Sequence, residues 1–195
     1  MINIGIYIYE DAEVLDFAGP FEVFSTASRF LKKSEKLNVF LISQNNKVVK
    51  ARGGFNVCAH HSFLDTPVID ILIIPGGIHK KEMKKKSVIN WIHEQSKKCL
   101  ITASVCTGAF LLAKAKVIKK ENVTTHWEDI KDLEESFPKL NVIKNKRWVE
   151  DENIITSGGI SAGIDMSLYL VSKLYDEKLA LRTAEQMEFV WTSDN

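Results

Sequence analysis

Runs of apolar, largely β-branched residues punctuate this chain and mark its strands. Residues 2–9 form a strong first run that stops at Glu10-Asp11-Ala12-Glu13. Residues 37–43 read as a second strand, and residues 68–74 are a continuous apolar run suited to a central parallel strand covered on both faces. Residues 47–50 and 55–58, separated by Arg52-Gly53-Gly54, read as a small hairpin, and residues 147–150 and 154–157 as another. Between the runs, apolar positions recur at helical spacing. Phe21, Phe24 and Leu31 belong to a helix expected to begin at Phe21, after Pro20. Ile89, Trp91 and Ile92 belong to one that opens on the lysine-rich residues 80–86, expected as a solvated face, and reaches about Lys98. Further helices are expected over residues 128–136, 166–174 and 177–189. Strands alternating with helices around apolar runs predict an α/β sandwich with a mostly parallel sheet and small β-hairpins, as a single domain over residues 1–195.

Composition narrows the function classes. The chain is 45% apolar and 26% charged, as ordinary globular proteins are, and its length allows a sizeable core. A net charge of +1 gives no reason to expect a nucleic-acid or membrane partner. No apolar run approaches the roughly 18 residues of a spanning helix, and the first residues lack the basic start of a signal peptide. Three widely spaced cysteines form neither a disulfide framework nor a zinc site, so a reducing, cytoplasmic compartment is expected.

The chemistry concentrates in residues 101–113, a β-branched run that turns into an Ala/Leu-rich helix at Cys106. Gly108 lets the chain bend there. This is the layout of a nucleophile elbow, with the thiol at the carboxyl end of the sheet and at a helix N-terminus, where its proton should leave more easily than from a free thiol. Asp16 follows the first strand at the same sheet edge, flanked by Leu15 and Phe17. It is either an N-cap or turn aspartate, or an acid whose partly apolar surroundings raise its pKa and let it hold a proton near neutral pH. Gly76 and Gly77, after the 68–74 strand, form a plain tight turn or an oxyanion hole. His126 either caps a short strand or handles protons for the cysteine. Ser161 and Asp165 are expected to cap the helix that follows them. Cys58 and Cys99 are expected to be packing residues. No Gly-x-Gly-x-x-Gly or Gly-Lys-Thr loop supports a nucleotide site.

Leu15-Asp16-Phe17-Ala18-Gly19-Pro20, Pro75-Gly76-Gly77, Ser104-Val105-Cys106-Thr107-Gly108, Thr124-Thr125-His126-Trp127 and residues 157–165 together resemble the PfpI/ThiJ superfamily, across nearly the whole chain and in the expected order. The pattern is closest to the isonitrile (isocyanide) hydratase branch and to the amidotransferase-like domain of AraC-type regulators. The resemblance implies a flavodoxin-like three-layer fold, a homodimer, and an acidic residue hydrogen-bonded to a reactive Cys106. Asp16 matches that acidic position, where the hydratase branch carries aspartate and the deglycase and glyoxalase-like branches glutamate. Thr107 stands where peptidase-like members place histidine, and a helix-turn-helix region after Phe189 is not expected.

The expected activity is cofactor-free, metal-free hydration of a small electrophile, an isonitrile, by Cys106, Asp16 and Thr107. Gly76, Gly77, His126, Trp127 and Ile160 are expected to bind the substrate or developing charge, with Phe17 and Phe110 as further apolar lining. Glyoxalase- or deglycase-type chemistry on small carbonyls, or a cysteine-based stress or redox sensor, are the alternatives.

Overall fold

The structure is a computed structural model, and it describes residues 1–45 and 48–193. Lys47, expected to start the first hairpin, lies outside the described residues. The strands are β1 (Ile2–Tyr7), β2 (Leu37–Ser43), β3 (Val48–Lys50), β4 (Asn56–Cys58), β5 (His61–Ser62), β6 (Ile71–Ile74), β7 (Ile101–Val105), β8 (Asn122–Val123), β9 (Asn141–Val142), β10 (Trp148–Asp151) and β11 (Ile154–Ser157). The helices are α1 (Val14–Arg29), α2 (Lys86–Ser96), α3 (Gly108–Lys114), α4 (Ile130–Ser136), α5 (Ala162–Leu174) and α6 (Glu177–Gln186).

The main sheet runs β10-β11-β7-β6-β1-β2-β5. All its pairings are parallel except β10 with β11, the expected second hairpin. The first expected hairpin is β3 with β4. Helices cover both faces of the sheet, so its central strands bury apolar side chains on both sides: Ile4, Ile6, Ile71, Leu72, Ile73 and Ile74 are all buried. Parallel order brings the carboxyl ends of β1, β6, β7 and β11 to one edge, where sites in open α/β sheets form.

The boundaries depart from sequence expectation in a few places. Helix α1 begins at Val14, seven residues before Phe21, and carries Pro20 inside it. The proline has no N–H to offer the Asp16 carbonyl, yet packing holds the turn: Phe17, Gly19, Pro20, Val23 and Phe24 are all buried. The lysine-rich stretch divides into a 3₁₀ turn (Glu82–Lys84) and α2, and it is not wholly a solvated face. Glu82 is only 2% exposed, hydrogen-bonded by the Tyr7 hydroxyl and ion-paired to Lys85 at 2.8 Å. Cys58 faces solvent from the hairpin, while Cys99 is buried as expected. Neither Ser161 nor Asp165 caps α5. Asp165 is buried and accepts hydrogen bonds from Arg147 Nε at 2.8 Å and the Thr192 N–H at 2.9 Å.

Candidate active site

The chain leaves β7 and turns sharply at Cys106, whose φ of +54° places a side-chain-bearing residue in the left-handed region. Three contacts hold that conformation. The Cys106 N–H points between the Ser157 and Gly158 carbonyls at 3.2 and 3.1 Å, and Thr125 Oγ1 donates to the Cys106 carbonyl at 2.8 Å. Two residues on, a Cβ at Gly108 would stand 2.1 Å from the Ile74 carbonyl oxygen. Only glycine allows α3 to start this close to the end of β6.

Asp16 enters from the first turn of α1, fully buried. Its Oδ2 accepts the Gly76 N–H at 2.9 Å, while Oδ1 has no well-formed hydrogen bond. Burial raises the carboxyl to about 7, against the opposing pull of the Gly76 N–H and the nearby Cys106 thiol. The thiol behaves in the opposite way to the sequence expectation. Burial first, and then the Asp16 charge, push Cys106 up to about 12; the Thr107 N–H favours the thiolate but does not prevail. The helix-terminus argument failed because α3 has only seven residues and the sulfur is covered. Near neutral pH the thiol therefore keeps its proton while the carboxyl beneath it is about half ionised.

The loop after β6 is tied down by both partners. Thr107 Oγ1 accepts the Gly77 N–H at 3.0 Å and donates to the Gly77 carbonyl at 3.1 Å. With Gly76 N–H on Asp16 and Gly77 N–H on Thr107, neither amide is left to form an oxyanion hole. Tyr9, buried beside them, donates to the Pro75 carbonyl at 3.3 Å.

Above the thiol opens a cleft of about 250 Å³ lined by Cys106, Thr107, Gly77, His79, His126, Ile160 and residues of the surrounding loops, among them Arg52, paired to Glu13 at 2.8 Å, and Asp129. Ile160 reaches it at φ +52°, a conformation that a β-branched residue rarely adopts and that clusters at functional sites. Asp16 lies beneath the thiol rather than on the cleft wall. Trp127 is not in this cleft: it is 76% exposed and borders a separate cavity of about 570 Å³ with Thr124, Lys144 and Gly159. Phe17 and Phe110 are buried in the core, Phe110 forming the support of His79. His79, 7% exposed, was not singled out by any sequence motif, because a histidine two residues after Gly77 carries no local signal of burial. Among the described residues no cluster of His, Cys, Asp and Glu side chains is arranged to hold a metal ion, and no helix is long and apolar enough to cross a membrane.

A mostly parallel α/β sheet with a strained elbow cysteine over a buried carboxyl defines a class of protein. Comparison with known sequences makes it specific. The chain belongs to the DJ-1/PfpI family, whose sequence profile matches residues 3–173. Isonitrile hydratase of Pseudomonas putida is 30% identical over 190 residues, covering 96% of this chain and 78% of that protein. The HTH-type transcriptional regulator GbdR of Pseudomonas aeruginosa is 23% identical over 183 residues, and this chain spans about half of its length (49%). The crystal structure of a ThiJ/PfpI family protein from Pseudomonas syringae superposes with a TM-score of 0.85 at 23% identity, over 100% of this chain and 76% of that one. The last likeness is one of fold.

Proposed function

We propose that the protein is a cysteine-dependent hydratase that converts an isonitrile to the N-substituted formamide. The observation that carries this is the buried Asp16 carboxyl, raised to about 7, beneath a Cys106 thiol that burial and the Asp16 charge push up to about 12. An isonitrile carbon must accept both a nucleophile and a proton at the same atom. A thiol with a carboxylate under it supplies both from one place. As sulfur bonds to the carbon, Asp16 takes the thiol proton and passes it to that carbon, giving a thioimidate on Cys106. Water then adds to the thioimidate carbon. One water proton ends on nitrogen and the other returns to the Asp16–Cys106 pair as the C–S bond breaks and its electrons return to sulfur. The product is the formamide.

Thr107 keeps the glycine loop in place through both steps, and its N–H, directed at sulfur, steadies the departing thiolate. The chemistry as written needs no metal or organic cofactor. The cleft of about 250 Å³ suits a small substrate. The same proposal places the chain in the cytoplasm as a homodimer. The kinship with isonitrile hydratase supports the reaction assigned. A redox-sensor role is disfavoured by the raised thiol, since oxidation proceeds through the thiolate.

The test is formamide production from a simple alkyl isonitrile by wild type and Cys106→Ala, followed in the infrared. Turnover that disappears in the variant supports the proposal. Full turnover in Cys106→Ala, or lactate from methylglyoxal without any isonitrile hydration, overturns it.

A further inference from the structure

Two histidines line the thiol cleft, and their hydrogen bonds give them opposite character. His126 Nδ1 accepts the Glu128 N–H at 3.3 Å, with Asp129 Oδ2 at 3.5 Å beside it. Its lone pair is spent on that side, so Nε2 carries hydrogen whether the ring is neutral or charged. His79 is the reverse. Its Nδ1 lies 3.3 Å from the Gly77 carbonyl, which only accepts, so Nδ1 carries the hydrogen and Nε2 keeps a bare lone pair. That Nε2 has no partner among the described residues, and it is not among the buried atoms sealed from solvent. The ring is stacked on Phe110 with centroids 4.6 Å apart, which fixes its orientation. Burial holds its pKa below the usual histidine value, against the upward pull of the Gly77 carbonyl, Asp129 and Asp132 and with the help of Lys80, which favours the neutral ring.

We propose that His79 is a catalytic residue of the second half-reaction: its Nε2 takes a proton from the water that attacks the thioimidate on Cys106. This rests on the hydratase proposal. Asp16 serves the substrate carbon from the sulfur side, buried beneath the thiol, and does not line the cleft from which the water approaches. His126 offers the cleft a donor where a base is required. In the balanced step, water oxygen bonds to the thioimidate carbon while its proton moves to His79 Nε2. His79 hands that proton to the substrate nitrogen. The carbinol proton then passes to the Asp16–Cys106 pair as the C–S bond breaks.

The test separates the two half-reactions with an alkyl isonitrile, acid quench and intact-mass measurement. His79→Asn retains an N–H where Nδ1 stands, and so keeps the contact to Gly77 while losing the base. It is expected to form the Cys106 adduct as fast as wild type, to accumulate it, and to lose about 100-fold or more in kcat, the usual scale for a missing general base. Added imidazole should restore turnover to His79→Ala, a readout that a merely structural role would not move. Wild-type kcat in His79→Asn, or loss of adduct formation itself with no accumulation and no imidazole rescue, overturns the assignment while leaving the hydratase proposal standing. A wild-type protein that forms neither adduct nor formamide overturns the hydratase proposal, and the assignment with it.

Discussion

Tyr9 and Asp16 hold opposite ends of one peptide unit. The Tyr9 hydroxyl donates to the Pro75 carbonyl at 3.3 Å, and Asp16 Oδ2 accepts the Gly76 N–H at 2.9 Å. Each bond polarises the amide in the sense that strengthens the other. Tyr9→Phe is therefore expected to raise the Asp16 pKa further, because the Gly76 N–H stabilises the carboxylate less. Leaving the Pro75 carbonyl without its partner should also cost about 1–3 kcal/mol of stability. Titration of the Asp16 carboxyl by NMR, with urea unfolding of the same variant, checks both.

Asp16 should make the protein less stable as pH rises. Its folded pKa, about 7, lies above the ordinary value of 3.8, so the folded state binds the proton more tightly than the unfolded chain does. Its unfavourable contribution is absent below about pH 4, grows between pH 4 and 7, and is complete above that, where it reaches about 4 kcal/mol. Asp16→Asn is expected to be more stable than wild type at pH 8 and no more stable at pH 4, by urea unfolding at the two values. The same variant should lose most of its hydratase rate.

The substitution Asp16→Asn also removes the second cause of the raised thiol. Cys106 should then titrate lower than in wild type, yet still above an ordinary thiol, because burial is the larger cause and persists. The pH dependence of iodoacetamide alkylation reads this directly. Faster alkylation combined with slower hydration would separate the proton-transfer role of Asp16 from its charge.

Thr107→Ser should be nearly silent, since the hydroxyl that both accepts from and donates to Gly77 is kept. Thr107→Val keeps the shape and loses both bonds, with an expected cost of about 1–3 kcal/mol and a fall in turnover as the glycine loop loosens. Thermal unfolding of the two variants side by side is the measurement.

Glu82 lies far from the cleft in function but not in consequence. Removing its buried carboxylate leaves the Tyr7 hydroxyl and the Lys85 ammonium without their partner. Glu82→Ala is expected to cost about 3 kcal/mol or more, and Glu82→Gln, which still accepts from Tyr7, distinctly less. Urea midpoints decide between them.

The elbow was legible because two local signals meet at Cys106: β-branched residues give way to helix formers, and Gly108 follows within two positions. The parallel sheet was legible for a similar reason, since Ile71 to Ile74 carry no polar face to turn toward water. What escaped was set by contacts distant in sequence. Glu82 is buried by Tyr7, 75 positions earlier, and it sits in a lysine-rich run that looks solvated by composition. Gly76 and Gly77 have the composition of an oxyanion hole, and only the tertiary placement of Asp16 and Thr107 shows their amides to be occupied. The acidity of Cys106 was misjudged because local helix geometry is visible in sequence, whereas the depth of the sulfur and its distance from a carboxylate are not. Trp127 follows His126 directly, yet their rings serve different cavities.

The close seat of Gly108 against the Ile74 carbonyl divides the cleft into parts with different freedom to vary. Cys106, Thr107 and the end of β6 are locked into one rigid floor that admits no added methyl group. His126, Ile160 and Arg52 come from loops around its rim, and their side chains can be exchanged without disturbing that floor. Descendants of such a scaffold would acquire new substrates by redecorating the rim while inheriting the sulfur's position unchanged.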